Sequence, residues 1–347
     1  MTTPLNVALV GYGFVGKVFH APLIAAVEGL TLHSVVSSNP DAVHADFPEV
    51  RVRTQLSDVL ADPAVHLVVI ATPNALHAQQ AHAALDAGKH VIVDKPFTVT
   101  VEEAERVSAH AERSGRVLSV FHNRRWDGDF LALRALVADG TLGDVTQFES
   151  HFDRFRPEVR DRWRERAGPG AGLWFDLGPH LLDQALQLFG APLGITADTE
   201  VQRDGGATDD YFHVTLRYKR LRVLLHASTM AAANDLRFAV HGTRGSFVKE
   251  GLDTQEDALK AGRIPGDDQW GHESHPGTLT LVEGDVLRTR VVHGESGDYR
   301  RYYQAIRDAL HGTAPNPVPP SEALLVMQLL VLGQESARAR REVLVVP

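Results

Sequence analysis

The sequence predicts an α/β protein in two parts: a doubly wound parallel sheet over residues 1–122, then an α+β domain with a mostly antiparallel sheet over residues 123–347. Two observations carry this. In the first third, unbroken runs of Val, Ile and Leu alternate with helix-period segments, and such runs are what strands buried on both faces require. Beyond about residue 122, strand-like segments follow one another without intervening helices, the pattern of hairpin-connected strands.

Taken in order, residues 6–10, 32–36, 67–71, 90–93 and 117–121 read as strands of the first part. Between them, residues 76–87 form an alanine-rich helix that stops at Gly88. Residues 101–114 form another, opened by the capping box Thr100-x-x-Glu103 and closed by Gly115. The second part begins with a helix over 130–138 and a strand over 145–152. An arginine-rich stretch and a glycine-rich loop lead to a helix over 175–188. Strands are expected at 211–218, 223–229, 236–240, 279–282 and 286–292, with a long loop over 262–277. Two helices, 299–310 and 322–340, close the chain around a proline-rich link.

Bulk properties narrow the function classes. A net charge of −9 argues against nonspecific binding to nucleic acid or membranes. With no cysteine, disulfides, thiolate metal sites and a cysteine nucleophile are excluded. The first residues run straight into a strand with no signal-peptide pattern, and no apolar run approaches the roughly 18 residues of a membrane span. A cytoplasmic location is the expectation.

Gly11-Tyr12-Gly13-Phe14-Val15-Gly16 is a G-x-G-x-x-G placed directly after the first strand and opening a helix. In that context Gly11 permits the tight turn, Gly13 lets a pyrophosphate approach the backbone, and Gly16 allows close helix–strand packing. Free N–H groups at the helix start favour the phosphates. The other reading is a turn chosen only for its conformation. At the end of the second strand an NAD site usually carries an acid for the ribose 2′-hydroxyl. Here Ser37, Ser38 and Asn39 stand instead, which favours NADP, with NAD as the alternative. No arginine adjoins them in sequence, so a 2′-phosphate would rest on hydroxyls and amides.

Two further motifs suggest chemistry. Asp94-Lys95-Pro96 follows the strand at 90–93, at the end where open α/β sheets bind ligands. Its lysine faces either the cleft or solvent. Asp176, His180 and Asp183 are spaced i, i+4, i+7 and share one helix stripe, a pattern common to solvated and cleft-facing helices. Oxidising a secondary alcohol requires a base for the hydroxyl proton, a role suited to histidine, and a cation for the developing alkoxide, a role suited to lysine.

At these motifs the chain resembles the glucose–fructose oxidoreductase/inositol dehydrogenase family, essentially end to end. The marks are Gly11-x-Gly13-x-x-Gly16, Ala71-Thr72-Pro73-Asn74-x-x-His77, Asp94-Lys95-Pro96 and Asp176-x-x-x-His180-x-x-Asp183. Residues 121–127 and 150–157 are similar to a subgroup that includes NADP-dependent scyllo-inositol dehydrogenases. The resemblance implies a Rossmann domain followed by a domain with a large, open, mostly antiparallel sheet, whose free face would join a homodimer or homotetramer. It implies Lys95, Asp176 and His180 as catalytic residues, with Lys95 touching both substrate and nicotinamide. Thr72, Pro73, Asn74, His77, Pro96 and Asn123 would line the cofactor, and Trp163 with its arginine neighbours would approach it. The family motif more often carries Glu where Asp94 stands. The partner would be a small polyol or sugar.

Residues 153–166 hold six arginines and four acids, a near balance that suits a salt-bridged loop better than nucleic-acid binding. His272-Glu273-Ser274-His275 lacks the H-E-x-x-H spacing, and no metal is expected. Two other functions remain open: a non-catalytic dinucleotide-binding sensor, which needs none of Lys95, Asp176 and His180, and nicotinamide-dependent cleavage of a glycosidic bond.

Overall fold

The computed structural model describes residues 4–233 and 235–346. The chain gathers into two compact units. The first comprises residues 1–123, 255–270 and 298–324; the second comprises 124–254, 271–297 and 325–347.

The first unit is built on β1 (Leu5–Val10), β2 (Leu30–Val36), β3 (Arg51–Arg53), β4 (Leu67–Ile70), β5 (His90–Val93) and β6 (Leu118–Val120), in the order β3-β2-β1-β4-β5-β6. Every pairing is parallel. The reversal of strand order beside β1 is the switch point at which such sheets receive a dinucleotide. β4 is buried at every residue, and Val91, Ile92 and Val93 of β5 are buried with it. That is why their sequences run apolar without alternation. The predicted helix Val101–Ser114 is present with both its caps. Thr100 Oγ1 accepts from the Glu103 amide at 3.2 Å, Glu103 Oε2 accepts from the Val99 amide at 3.3 Å, and Gly115 takes φ 63°. The edge strand β3 was not predicted, because Arg-Val-Arg offers three residues and no apolar run.

The second unit carries β7 (Val145–His151), β8 (Gly194–Glu200), β9 (Tyr211–Arg217), β10 (Arg222–Ser228), β11 (Leu236–Gly242), β12 (Gly245–Glu250), β13 (Gly277–Glu283), β14 (Val286–Val292) and β15 (Val343–Leu344). They form one nine-stranded sheet, β14-β13-β12-β11-β7-β10-β9-β8-β15, antiparallel except between β7 and β10. Along β9 the residues alternate between partly exposed and buried, so one face is packed. The helix Leu173–Phe189 lies against this packed face, where Trp174 meets Phe212 edge-on with ring centroids 5.0 Å apart. The strands β8, β12 and β15 and the helix Gln255–Lys260 were not anticipated. Among the described residues, no helix is long and apolar enough to cross a membrane.

Candidate active site

The glycine turn fits a dinucleotide. Gly11 has φ 98°, and a Cβ there would lie 2.7 Å from the Ala71 carbonyl oxygen. A Cβ on Gly16 would overlap the Gly11 carbonyl oxygen. Both positions therefore exclude a side chain for internal reasons. Gly13 differs: a Cβ there would meet nothing within 4 Å. The bare backbone at Gly13 is not demanded by the fold, and it leaves the approach open for a pyrophosphate. The turn runs into a π-helical segment, Gly16–His20, and then the helix Ala21–Ala25. Around it, Tyr12 donates to Asp46 at 2.9 Å and Lys17 pairs with the same carboxylate at 2.7 Å. Phe14 is exposed and Val15 is partly covered.

At the tip of β2, the Ser37 hydroxyl accepts from the Asn39 amide at 3.1 Å, and Asn39 caps the following helix by accepting from Ala42. Ser38 is exposed beside them. The expectation that no arginine stands near this tip applies to the sequence alone. The pairing of β3 with β2 places Arg53 opposite Val36, and the Ser37 amide donates to the Arg53 carbonyl at 2.9 Å. Arg53 is exposed. Its proximity arises from strand pairing, a signal that local sequence does not carry.

Beyond β4, Thr72 Oγ1 donates to Gln80 at 2.7 Å. Pro73 precedes the short turn Asn74–Leu76, in which Asn74 is buried. His77 is fully buried, with its ring nitrogens 3.0 Å from the carbonyl oxygens of Thr72 and Pro96. It therefore ties the loop after β4 to the loop after β5. Burial is the main reason its pKa is depressed, outweighing nearby Asp94 and its backbone partners. Asn123 is also buried, at the start of the turn Asn123–Trp126. Lys95 and Pro96 are joined by a cis peptide bond just past the end of β5. The preceding Asp94 is buried, with His20 Nε2 3.7 Å from its carboxylate. Burial pushes this carboxyl up. The neighbouring His20, Lys95 and His77 overcome that and hold it below the usual range.

Within the second unit, the helix Leu173–Phe189 divides the predicted stripe. Asp183 forms a bidentate pair with Arg125 at 2.9 and 2.5 Å, and both side chains are buried. Its neighbour Gln184 donates to the Arg124 carbonyl at 2.9 Å and accepts from Arg237 at 2.7 Å. Arg237 also pairs with Asp129 at 3.1 Å. This end of the stripe anchors the helix. One turn and more toward the N-terminus, Asp176 keeps some exposure and faces Arg164 at 3.4 Å, while His180 is 6% exposed. A hollow beside Asp176 is lined in part by Arg162, Arg164, Leu173 and Thr208. Trp163 lies in this segment beneath the Arg164 guanidinium, 4.5 Å from its ring centre. The other charges are largely paired locally, Arg162 with Glu165 at 2.6 Å and Arg166 with Asp161 at 2.5 Å.

At the start of the helix, Asp209 accepts from the Trp174 amide at 2.6 Å. Burial raises its pKa to about 6, against the lowering effect of its amide bonds. Glu273 of the histidine pattern at 272–275 pairs with Lys249 at 3.1 Å. A separate group, His151, Asp153 and His226, brings candidate ligand atoms within 4.8 Å of one another. Glu149 and the Ser228 amide also bond to this group, so internal hydrogen bonding accounts for it.

Comparison with known proteins decides the family. Residues 5–122 match the pattern described as "Oxidoreductase family, NAD-binding Rossmann fold", and residues 134–345 match "Oxidoreductase family, C-terminal alpha/beta domain", both of the glucose–fructose oxidoreductase/inositol dehydrogenase (Gfo/Idh/MocA) family. The chain belongs to the Gfo/Idh/MocA family. Its Gfo/Idh/MocA relatives include the uncharacterized oxidoreductase YdgJ of Escherichia coli (strain K12), 53% identical over 98% of both chains. Another is scyllo-inositol 2-dehydrogenase (NADP(+)) IolW of Bacillus subtilis (strain 168), 39% identical over 98% of this chain and 96% of that one. A solved oxidoreductase structure from Yersinia pestis superposes with a TM-score of 0.97 at 49% identity, covering 100% of this chain and 99% of the other. This member of the family is an NAD(P)-dependent dehydrogenase.

Proposed function

We propose that the protein moves a hydride between a secondary alcohol of a cyclitol or sugar-like substrate, scyllo-inositol-like in kind, and the nicotinamide of NADP(H). The observation that supports this most is the set of acid–base groups. Lys95 stands just past the C-terminal end of β5, while Asp176 and His180 sit one turn apart on a helix anchored by the buried Arg125–Asp183 ion pair. When bound, the nicotinamide accepts or returns the hydride. His180 takes the hydroxyl proton, Asp176 orients the substrate and the imidazole, and the Lys95 ammonium stabilises the developing alkoxide.

The preference for NADP draws on the tip of β2. No carboxylate stands at Ser37 or Ser38 to repel a 2′-phosphate, and Arg53 adds a cation alongside. The naming of IolW as an NADP enzyme points the same way. Assembly as a homodimer or homotetramer through the nine-stranded sheet is part of the proposal. The exposed Val286, Leu287 and Val291 on edge strand β14 favour it. Light scattering tests it, and a monomer at micromolar concentration contradicts it. We also place the enzyme in the cytoplasm.

The test of function is a screen of cyclitols and sugars, followed by the absorbance of reduced nicotinamide. NADP⁺ should be reduced by at least one cyclitol and bind more tightly than NAD⁺. Ser37→Asp should shift selectivity toward NAD⁺ by about tenfold, since about 1.4 kcal/mol of charge repulsion suffices. Silence across the screen, or equal affinity for NAD⁺, refutes the corresponding part.

A further inference from the structure

We propose that His20 and Tyr303 are positioning residues that act on Lys95 through Asp94, an inference resting on the reading of Lys95 as catalytic. The three groups come from distant parts of the sequence. His20 ends the π-helical segment after the glycine turn, Asp94 follows β5, and Tyr303 lies in the helix Arg300–Leu310. They meet within the first unit, all buried. His20 Nδ1 is 2.5 Å from the Tyr303 hydroxyl, His20 Nε2 is 3.7 Å from Asp94 Oδ1, and the ring packs on Phe121 with centroids 4.4 Å apart.

Packing alone gives no reason for this chain. Buried ionic groups carry a desolvation cost, and apolar side chains of similar volume commonly hold a core as well or better. What distinguishes the place is its next residue, Lys95.

The chemistry orders itself from the phenol inward. Burial, with Tyr302 and Asp94 nearby, keeps the Tyr303 hydroxyl protonated. The hydroxyl sits at hydrogen-bond distance from His20 Nδ1, and the second ring nitrogen, Nε2, faces the Asp94 carboxylate at 3.7 Å. A histidine tautomer fixed by its second nitrogen is a recurrent way to orient a neighbouring group. The groups facing Asp94 are His20, Lys95 and His77, and His77 is already committed to the Thr72 and Pro96 carbonyls. The chain thus holds in place a carboxylate that interacts electrostatically with Lys95.

The test uses the full-length protein with its lysines reductively ¹³C-methylated, the Lys95 signal being assigned by its loss in Lys95→Ala. NMR titration follows Lys95, and turnover is measured with scyllo-inositol or the cyclitol selected by the screen. Asp94→Asn should lower the Lys95 midpoint by about one pH unit, because it removes an opposite charge nearby. Tyr303→Phe, which deletes one oxygen, should lower kcat about tenfold with KM and NADPH affinity within about twofold. Asp94→Glu should recover most of the turnover lost in Asp94→Asn. Adding Tyr303→Phe to Lys95→Ala should cost nothing further. An unmoved Lys95 midpoint, or losses that add in the double variant, overturns the inference. If Asp94→Asn does not fold, the Tyr303→Phe and Lys95→Ala cycle decides alone. Wild-type turnover in Lys95→Ala would sink the reading of Lys95 itself and this inference with it. A crippled Lys95→Ala beside additive losses sinks only the inference.

Discussion

The six-stranded and nine-stranded sheets bury their side chains differently, and the difference decides where each can do chemistry. In the first, β4 and most of β5 are buried on both faces, so function is confined to the loops at the strand ends. The glycine turn, Ser37, Thr72 to His77 and Asp94 to Pro96 all lie there. In the second, β9 turns Phe212, Val214 and Leu216 inward and leaves the alternate residues partly exposed. The candidate residues of that unit stand on the helix packed against its inner face. One sheet supplies loops that can cradle a ligand backbone-first; the other supplies a rigid helix that presents side chains.

The sharpest way to break this contrast is at the glycines. Gly16→Ala forces a Cβ onto the Gly11 carbonyl and should unfold or badly distort the first unit. Gly13→Ala meets no atom of the protein, so its Tm should stay within a few degrees while NADP⁺ affinity falls by about tenfold or more. Calorimetry beside a binding titration separates them. Loss of stability at Gly13, or unchanged affinity, would reduce that glycine to a conformational choice.

In the second unit the comparison runs along one helix. Asp183→Ala leaves Arg125 buried without its partner and should destabilise the protein by about 3–5 kcal/mol in denaturant unfolding. Asp176→Asn, at a partly exposed site, should leave stability within about 1 kcal/mol and lower turnover instead. The reverse result would exchange the anchoring and functional ends of the helix.

A smaller effect concerns Asp209 at the helix start. Its folded pKa, about 6, lies above the ordinary aspartate value of 3.8. The folded state therefore keeps this proton at pH values where the unfolded chain has lost it. That contribution is fully present below pH 3.8 and is lost as pH rises through about 6. Relative to Asp209→Asn, the wild type should lose a few degrees of Tm across that window. A constant difference between the two proteins would contradict it.

How much could be read from the sequence follows the same contrast. The strands β1, β4 and β5 were legible because burial writes nearly continuous apolar runs, β2 (Leu-Thr-Leu-His-Ser-Val-Val) through its Leu and Val residues, and the helix Val101–Ser114 because its caps are local. The strands β8 (Gly-Ile-Thr-Ala-Asp-Thr-Glu) and β12 (Gly-Ser-Phe-Val-Lys-Glu) mix polar and glycine residues, so their pairing partners define them more than their composition does. The stripe Asp176, His180, Asp183 was visible as periodicity, but only the fold brings Arg125 to Asp183 and Arg164 to Asp176. Arg53 beside Ser37 and Tyr303 against His20 arise from pairings 16 and 283 residues apart in sequence, beyond any local pattern.

The most direct test of the central claim is the pH profile of turnover in His180→Ala, measured with NADP⁺ and the cyclitol that the wild type oxidises. Positioned acid–base catalysis is worth about 10²–10⁴-fold, so turnover at neutral pH should fall by that factor and the acidic limb of the wild-type profile should disappear. NADP⁺ affinity should be nearly unchanged. Near-normal turnover with the acidic limb intact would contradict the account and leave His180 as a packed helix residue with no part in the reaction.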